Sequence, residues 1–202
     1  SVTVICTDKT GTLTQNRMEV KEAWTPDDKQ NAVSLLTKTA YFCNNAKFIE
    51  GQYKGDPTEI ALLKYASGNI WDLKAERISE IPFDSERKRM TTVHKWEVRS
   101  EKLEAGKLPS SVFTADFTVP ASYLSFTKGA LESVLPLCSH VLINEQKVPI
   151  DEKLKDNIIN ASHSLMDKGL RVLSFAFSEL RSASGGPNSE LEKDMVFLGL
   201  IG

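Results

Sequence analysis

The sequence has few cysteines, no long apolar run and no excess of charge of either sign. Its three cysteines, Cys6, Cys43 and Cys138, lie far apart. They therefore indicate neither a disulfide framework nor a CxxC metal site, and they favour a reducing compartment. No run approaches the roughly 18 apolar residues of a membrane helix, and no signal-peptide pattern opens the chain. We therefore expect the chain as given to be soluble.

The formal charge of the chain is only −2, from 25 basic and 27 acidic residues. Such a balance gives no electrostatic reason to expect binding to nucleic acid or to an anionic membrane. The 202 residues are 41% hydrophobic and 26% charged, which is typical of a globular protein with a sizeable core. A chain of this length can form one large domain, or one domain with part of another.

Hydrophobic periodicity and turn residues predict a succession of short strands and amphipathic helices. Strands are predicted at residues 2–6, on both sides of a charged turn within 77–96, and at 123–129, 170–180 and 195–202. Hairpins are predicted at 47–55, around Glu50 and Gly51, and at 140–150. Helices are predicted at 28–46, at 56–66 with Asp56 as N-cap, directly after 129, and at 154–166 with Gly169 as the C-terminal stop. Residues 97–122 and 182–190 are predicted to be loops.

The stretch DKTGTLT, residues 8–14, places the carboxylate of Asp8 directly after the first predicted strand. An isolated aspartate at such a position can be an ordinary turn residue. The whole stretch, however, matches the phosphorylation motif of P-type ion-pumping ATPases, which resemble the haloacid-dehalogenase-like phosphotransferases. A match of this length favours the interpretation of Asp8 as a nucleophile.

The resemblance implies a role for each polar residue of this stretch. Asp8 would attack the γ-phosphorus of ATP, Lys9 would screen the approaching negative charge, and backbone amides around Gly11 would approach the phosphoryl oxygens. Many phosphatases of the related superfamily have a second acid two positions after the nucleophile. Here that residue is Thr10, whose hydroxyl does acid–base work poorly, so the aspartyl phosphate should persist. Asp8 and Thr10 would also bind Mg²⁺, but only in the complete phosphorylation domain.

The stretch GDPTEIALL, residues 55–63, resembles an acidic motif of the nucleotide-binding domain of these pumps. The resemblance implies that Glu59 lies near the adenine of ATP. The same letters also form a good capping box, in which Glu59 would reach back to the amide of Asp56. Both interpretations remain open from the sequence.

The stretch IPFDSERKRM, residues 81–90, resembles the segment whose phenylalanine stacks on adenine. This implies that Phe83 binds the base and that Lys88 lies near the phosphates. A single phenylalanine beside a proline is more commonly a core residue, but stacking of an aromatic ring on a purine is also what a nucleotide site requires.

Two further stretches resemble nucleotide-binding segments of the same family. FTKGALE, residues 126–132, carries its Lys-Gly-Ala motif; Lys128 would reach the nucleotide, and Gly129 would allow the base to approach the backbone closely. KGLRVLSFA, residues 168–176, matches the stretch whose arginine, here Arg171, contacts the phosphates. The alternatives are a solvated surface lysine and an exposed arginine at the start of a strand, although a guanidinium suits phosphate oxygens well.

The resemblance implies an α+β fold: a twisted antiparallel sheet flanked by helices, bracketed by strands of a haloacid-dehalogenase-like phosphorylation domain. We expect residues 1–18 to begin that domain, 19–193 to form the nucleotide-binding domain, and 194–202 to return to the phosphorylation domain. Hinges are expected near 16–19 and 193–196. Residues 97–122 depart from compact versions of this domain.

The function implied is ATP binding within a cation-transporting P-type ATPase, most similar to the calcium pumps among the type II cation pumps. We expect ATP and Mg²⁺ as cofactors, the remaining phosphorylation, actuator and membrane domains of the same pump as partners, a monomeric fragment that binds no nucleic acid, and a cytoplasmic location in an integral membrane protein. The isolated chain should bind ATP without turning it over.

Two other classes of protein are alternatives to this interpretation. A soluble haloacid-dehalogenase-like phosphatase would have an acid at position 10 and no purine-binding motifs. A non-catalytic ATP-binding module would need Phe83 and Lys128 but not an intact DKTGTLT. The sequence disagrees with both at these points.

Overall fold

The computed structural model of the chain describes residues 3–4, 17–27, 30–68, 75–96, 123–144, 146–180 and 188–202. The DKTGTLT stretch and the predicted loop at 97–122 lie outside the described residues. Of the strand predicted at 2–6, only Thr3 and Val4 are described, and they belong to no regular element.

The described residues form a mixed, mostly antiparallel sheet, a separate hairpin and several helices. The strands in chain order are β1 (Ala23–Trp24), β2 (Lys47–Ile49), β3 (Gln52–Lys54), β4 (Ala75–Asp84), β5 (Arg89–Trp96), β6 (Tyr123–Gly129), β7 (Cys138–Ile143), β8 (Gln146–Pro149), β9 (Leu173–Leu180) and β10 (Met195–Ile201). The helices are α1 (Gln30–Phe42), α2 (Pro57–Ser67), α3 (Leu131–Val134), α4 (Glu152–Asp167) and α5 (Asn188–Leu191).

The sheet has the strand order β4-β5-β6-β9-β10-β7-β8, and β1 also pairs with β10. β10 and β7 are parallel, and the other pairs are antiparallel. Strands β2 and β3 form the separate hairpin. The α+β class and the largely antiparallel sheet expected from the sequence are therefore confirmed.

Helices cover both faces of the sheet. Helices α1 and α2 contribute Leu36 and Leu62 to one core cluster, together with Phe126, Phe175 and Phe177 of the strands. Helix α4 contributes Ile158 and Leu165 to a second cluster, with Val141, Phe197 and Leu200. Since the two clusters draw on alternate residues of the same strands, they lie on opposite faces of the sheet.

Strand β10 lies inside this sheet. The sequence predicts that residues 194–202 return to a different domain from 19–193. In the structure, β10 pairs with β9 on one side and with β7 and β1 on the other. Its residues are all buried, with Phe197 in one core cluster and Leu198 in the other. Burial on both faces explains why this segment is a continuous apolar run rather than an alternating one.

Most local elements form where the sequence predicts them. Glu50 and Gly51 have φ of 54° and 78° at the tip of the β2–β3 hairpin, as a tight hairpin turn requires. The Asp56 carboxylate accepts a hydrogen bond from the Thr58 amide at 2.8 Å and caps α2. Gly169, with φ of 74°, follows the end of α4. These features depend on neighbouring residues alone, which is why the sequence predicts them.

Some element bounds differ from the prediction. The helix predicted to reach residue 46 ends at Phe42. There the side chain of Asn44 accepts from the Ala46 amide at 2.8 Å and donates to the Glu59 carbonyl at 2.9 Å, so it satisfies backbone groups in a non-helical conformation. In the segment predicted as a loop at 182–190, the described residues 188–190 belong to α5.

Candidate functional site

The segments predicted to bind nucleotide converge at one end of the sheet. Strand register sets this arrangement: Asp84 of β4 lies opposite Arg89 of β5, Arg89 opposite Gly129 of β6, and Gly129 opposite Ser174 of β9. Phe83, Lys88, Lys128 and Arg171 each lie within three residues of these positions. Adjacent strands are about 4.8 Å apart, so β4 and β9 are separated by roughly 14 Å.

Glu59 and Lys128 meet at this end of the sheet. Glu59 is in the first turn of α2, and its Oε1 atom lies 2.6 Å from Nζ of Lys128. The two side chains are only 15% and 9% exposed. Lys128 is therefore not a solvated surface lysine, and the Glu59 carboxylate is engaged by Lys128 instead of closing a capping box with Asp56.

The turn after β4 packs against the Lys-Gly-Ala segment. Lys88 has φ of 52°, and its carbonyl accepts hydrogen bonds from the Ala130 amide at 3.0 Å and from the Ser133 hydroxyl at 3.3 Å. Its ammonium lies 3.1 Å from Oε1 of Glu132, and both side chains are exposed. Lys88 is thus fixed by its backbone, while its charge remains at the surface.

Gly129 is required by this contact. A Cβ atom at Gly129 would lie 2.5 Å from the carbonyl oxygen of Lys88 and 2.8 Å from Cα of Arg89. Backbone atoms cannot move aside as the end of a flexible side chain can. The family resemblance implies that this glycine lets a base approach closely, whereas the close approach seen in the structure is that of the neighbouring strand.

Phe83 is the exposed aromatic residue at this end of the sheet. Its side chain is 63% exposed, and the ladder between β4 and β5 is irregular between Ile81 and Asp84. The alternative interpretation of Phe83 as a core residue is therefore excluded. An exposed ring held on a strand is available to stack on a planar ligand.

Arg171 lies apart from the Glu59–Lys128 pair. It precedes β9 and lines a cavity of about 470 Å³ together with Arg17, Lys21 and Gly202, among others. The structure thus brings Glu59 and Lys128 into contact and packs Lys88 against Gly129. Phe83 and Arg171 lie apart from these contacts, at the two sides of the same end of the sheet.

A charge network around the buried Glu192, beside the site, was not predicted from the sequence. Glu192, directly after α5, accepts hydrogen bonds from Arg87, from Arg89 at 3.0 Å and from the Thr91 hydroxyl at 2.7 Å. It therefore holds both arginines that flank Lys88. These partners are more than 100 positions from Glu192 in the chain, and no local pattern connects them.

The predicted catalytic and metal-binding residues, Asp8, Lys9 and Thr10, lie outside the described residues. Within the described ranges, no group of three or more histidine, cysteine, aspartate or glutamate side chains could hold a metal ion. No helix in the same ranges is both long and apolar enough to cross a membrane.

Comparison with known proteins identifies the family of this chain. A family model described as P-type ATPase, cytoplasmic domain N, matches residues 32–202. The chain is 38% identical over 218 residues to calcium-transporting ATPase 1 of Bacillus cereus, a match that covers 100% of this chain and 22% of that protein. The chain therefore belongs to the P-type ATPases and contains their cytoplasmic domain N.

Other relatives include a second calcium-transporting ATPase and a sodium/potassium-transporting ATPase. The chain is 31% identical over 217 residues to a calcium-transporting ATPase of Listeria monocytogenes, covering 99% of this chain and 22% of that protein. It is 31% identical over 240 residues to the sodium/potassium-transporting ATPase subunit alpha-2 of Bos taurus, covering 100% of this chain and 22% of that protein. The chain spans about a fifth of the length of these relatives.

Proposed function

We propose that this chain is the ATP-binding part of a cation-transporting P-type ATPase, on the cytoplasmic side of a membrane. In the whole protein, ATP would phosphorylate Asp8, and the free energy of the phosphoenzyme would drive a cation across the membrane. We propose calcium as that cation, because the Bacillus and Listeria relatives are named as calcium-transporting ATPases.

One observation carries the nucleotide-binding proposal: three segments that are separated in the chain meet at the same end of the sheet. Phe83, Lys88 and Lys128 lie at or next to the ends of β4, β5 and β6, and Arg171 lies two residues before β9. An exposed aromatic ring and several cations, spread over roughly 14 Å, suit a ligand with a planar base at one end and phosphates at the other.

Each of these residues has a proposed role. Phe83 stacks on the adenine, and Glu59 lies beside the base. Lys128 reaches the nucleotide from the end of β6, and Gly129 sets the position of the neighbouring turn. Lys88 and Arg171 contact phosphate oxygens, for which ammonium and guanidinium groups are the usual partners.

The phosphoryl-transfer roles belong to residues outside the described part of the chain. A carboxylate oxygen of Asp8 forms a bond to the γ-phosphorus as the bond between that phosphorus and the ADP oxygen breaks. Lys9 screens the negative charge, and Asp8 and Thr10 supply oxygen ligands of the kind that Mg²⁺ prefers. When bound, Mg²⁺ neutralises charge on the phosphates and the nucleophile.

Titration with ATP tests the binding proposal. One stacked base with a few exposed contacts should give a dissociation constant on the order of 0.1 to several mM. We expect backbone amide NMR signals of Glu59, Phe83, Lys128 and Arg171 to shift, while signals of the β2–β3 hairpin do not. If several millimolar ATP shifted none of the four, the nucleotide assignment would be rejected.

Phosphoenzyme trapping tests the role of Asp8. We expect the full-length protein, incubated with radiolabelled ATP and quenched in acid, to hold label that hydroxylamine removes. The Asp8→Asn variant should hold none, and Asp167→Asn, at an exposed position of α4, should label normally. Label retained by Asp8→Asn would overturn the assignment of Asp8 as the nucleophile.

A further inference from the structure

A cavity of about 470 Å³ lies where the described part of the chain enters and leaves the sheet. Its lining includes Arg17, Glu19 and Lys21 from the segment before β1, Arg171 from the turn before β9, and Gly202 after β10. The charged residues of the lining are therefore three cations and one carboxylate. Such a concave, positively charged surface favours an anionic ligand.

The walls of the cavity are held together by backbone hydrogen bonds. The amides of Lys21 and Glu22 donate to the carbonyl of Gly202 at 2.9 and 3.1 Å, and the amide of Gly202 donates to the carbonyl of Glu22 at 2.8 Å. Glu22 also holds the ammonium of Lys168 at 2.6 Å. The segment that carries Lys21 thus has a fixed position beside Gly202.

The cations of the cavity are only partly neutralised. Lys21 lies 2.7 Å from Glu19, but both side chains are largely exposed, and such surface pairs are weak. Lys21 lowers the pKa of Glu19 through a hydrogen bond and its charge, so the carboxylate is ionised at neutral pH. In the part of the chain that the structure describes, neither Arg17 nor Arg171 pairs with a carboxylate.

We propose that Arg17 and Lys21 complete, with Arg171, a subsite for phosphate groups in this cavity. The inference rests on the proposed nucleotide-binding function, which already gives Arg171 a role in phosphate binding. It adds Arg17 and Lys21, which lie outside the nucleotide-binding motifs. Guanidinium groups bind phosphate through paired hydrogen bonds, and an ammonium adds a compact charge. The ligand is the phosphate chain of a nucleotide or a free phosphate anion.

The location of the cavity connects phosphate binding to the path of the chain. Arg17 and Lys21 lie on the segment that leads from the DKTGTLT stretch into β1, and Arg171 lies on the sheet end where the nucleotide-binding segments converge. A phosphate bound to all three residues would therefore bridge the connecting segment and the sheet.

Isothermal and NMR titrations of three variants and one control variant test this subsite at low salt. We expect Arg17→Gln and Lys21→Gln each to raise the dissociation constant for ATP about 3- to 10-fold, with the constant for AMP changed less than about twofold. Arg17→Lys, which keeps the charge, should recover part of the loss. The control Lys153→Gln removes an exposed cation of α4 and should change neither constant. The effects should shrink as salt is added.

Pyrophosphate without a nucleoside distinguishes the two sources of phosphate. If pyrophosphate shifts the amides of Arg17 and Arg171 but ATP does not, the subsite takes free phosphate; if ATP shifts them together with Phe83, it takes the nucleotide. Normal ATP binding to Arg17→Gln and Lys21→Gln, with no pyrophosphate shift, would overturn the subsite and leave the proposed function intact. Absence of ATP shifts at Phe83 and Lys128 would instead reject the proposed function, while a pyrophosphate shift would still support the subsite.

Discussion

Lys128 and Glu59 form an ion pair at 2.6 Å that is almost closed to solvent. The two residues are 69 positions apart in the chain, so the pair joins the first turn of α2 to the end of β6. Removing one partner of a buried pair leaves the other charge without compensation in a poorly solvated place. The pair therefore couples the stability of the sheet end to the groups proposed to bind nucleotide.

A double-mutant cycle measures this coupling. We expect Glu59→Gln and Lys128→Met each to lower the free energy of unfolding by about 2 to 4 kcal/mol. The double variant should lose less than the sum of the two, because neither charge is then left alone. Urea denaturation gives the three values.

The exposed pair between Lys88 and Glu132 is the matched control. Its side chains are 56% and 65% exposed, so Glu132→Gln should cost less than about 1 kcal/mol. The losses of unfolding free energy in Glu59→Gln and Lys128→Met could instead simply add and be no larger than that of the control. This result would show that the partly buried pair contributes nothing specific to stability.

Recognition of the base should depend on Phe83. Losing a stacked ring costs roughly 1 to 3 kcal/mol, so Phe83→Ala should weaken ATP, ADP and AMP by similar factors, whereas Arg171→Ala should affect AMP least. Competition titrations with the three nucleotides measure the factors.

Phe48 provides the control for this substitution. It is 59% exposed, close to the 63% of Phe83, but it lies on the separate β2–β3 hairpin. Phe48→Ala should therefore leave all three affinities unchanged. If Phe83→Ala kept full affinity for AMP in a folded protein, stacking on the base would be the wrong role for this ring.

Glu192 should be critical for the turn that carries Lys88. Burial alone would raise the pKa of this carboxyl, but hydrogen bonds from Arg89, Thr91 and Arg87 outweigh it and the pKa lies below its ordinary value. The folded state therefore favours the ionised form, and the stabilisation is lost as the pH falls through the folded pKa.

Substitution of Glu192 leaves two arginines without their acceptor, and it leaves the buried hydroxyl of Thr91 with the Thr127 hydroxyl as its remaining partner. We expect Glu192→Ala to lower the free energy of unfolding by about 3 to 5 kcal/mol, measured by urea denaturation. Glu190→Ala, two positions earlier and exposed, should change it by less than about 0.5 kcal/mol. Equal effects of the two variants would contradict the role of the network.

The sequence predicts local structure well in this protein. The turn at Glu50 and Gly51, the cap at Asp56 and the stop at Gly169 form as expected, because each is decided by residues within a few positions. The choice of Phe83 and Lys128 came from a family resemblance and not from periodicity, which cannot distinguish a stacking ring from a core ring.

Long-range relationships were not predictable from the residues alone. Strand order decides that β10 lies between β9 and β7. It also decides that Arg87 and Arg89 reach Glu192 and that Arg17 and Arg171 line one cavity. A run such as 195–202 indicates a buried strand, but it carries no information about which strands lie beside it.

His94 makes the stability of the fold depend on pH. It is buried against the rings of Phe42 and Phe126, and its Nε2 atom lies 3.2 Å from the Phe42 carbonyl, so we assign the proton to Nε2, which donates. Its Nδ1 atom is buried and, among the described residues, has no hydrogen-bond partner. Burial, followed by the charge of Arg77, lowers the pKa of His94 from 6.5 to about 4.

The sign of the effect follows from proton binding in the two states. Between pH 6.5 and about 4, His94 binds a proton in the unfolded chain but not in the folded one, so the free energy of unfolding falls as the pH is lowered and levels off below about 4. The full difference corresponds to roughly 3 kcal/mol.

His94→Gln can still donate to the Phe42 carbonyl but cannot titrate, so we expect a shallower fall across this range. Urea denaturation at a series of pH values measures both slopes, with carboxyl titrations common to the two proteins. His163→Gln, at an exposed position of α4, should keep the wild-type slope. Parallel curves for wild type and His94→Gln would show that this imidazole is not the group that senses pH.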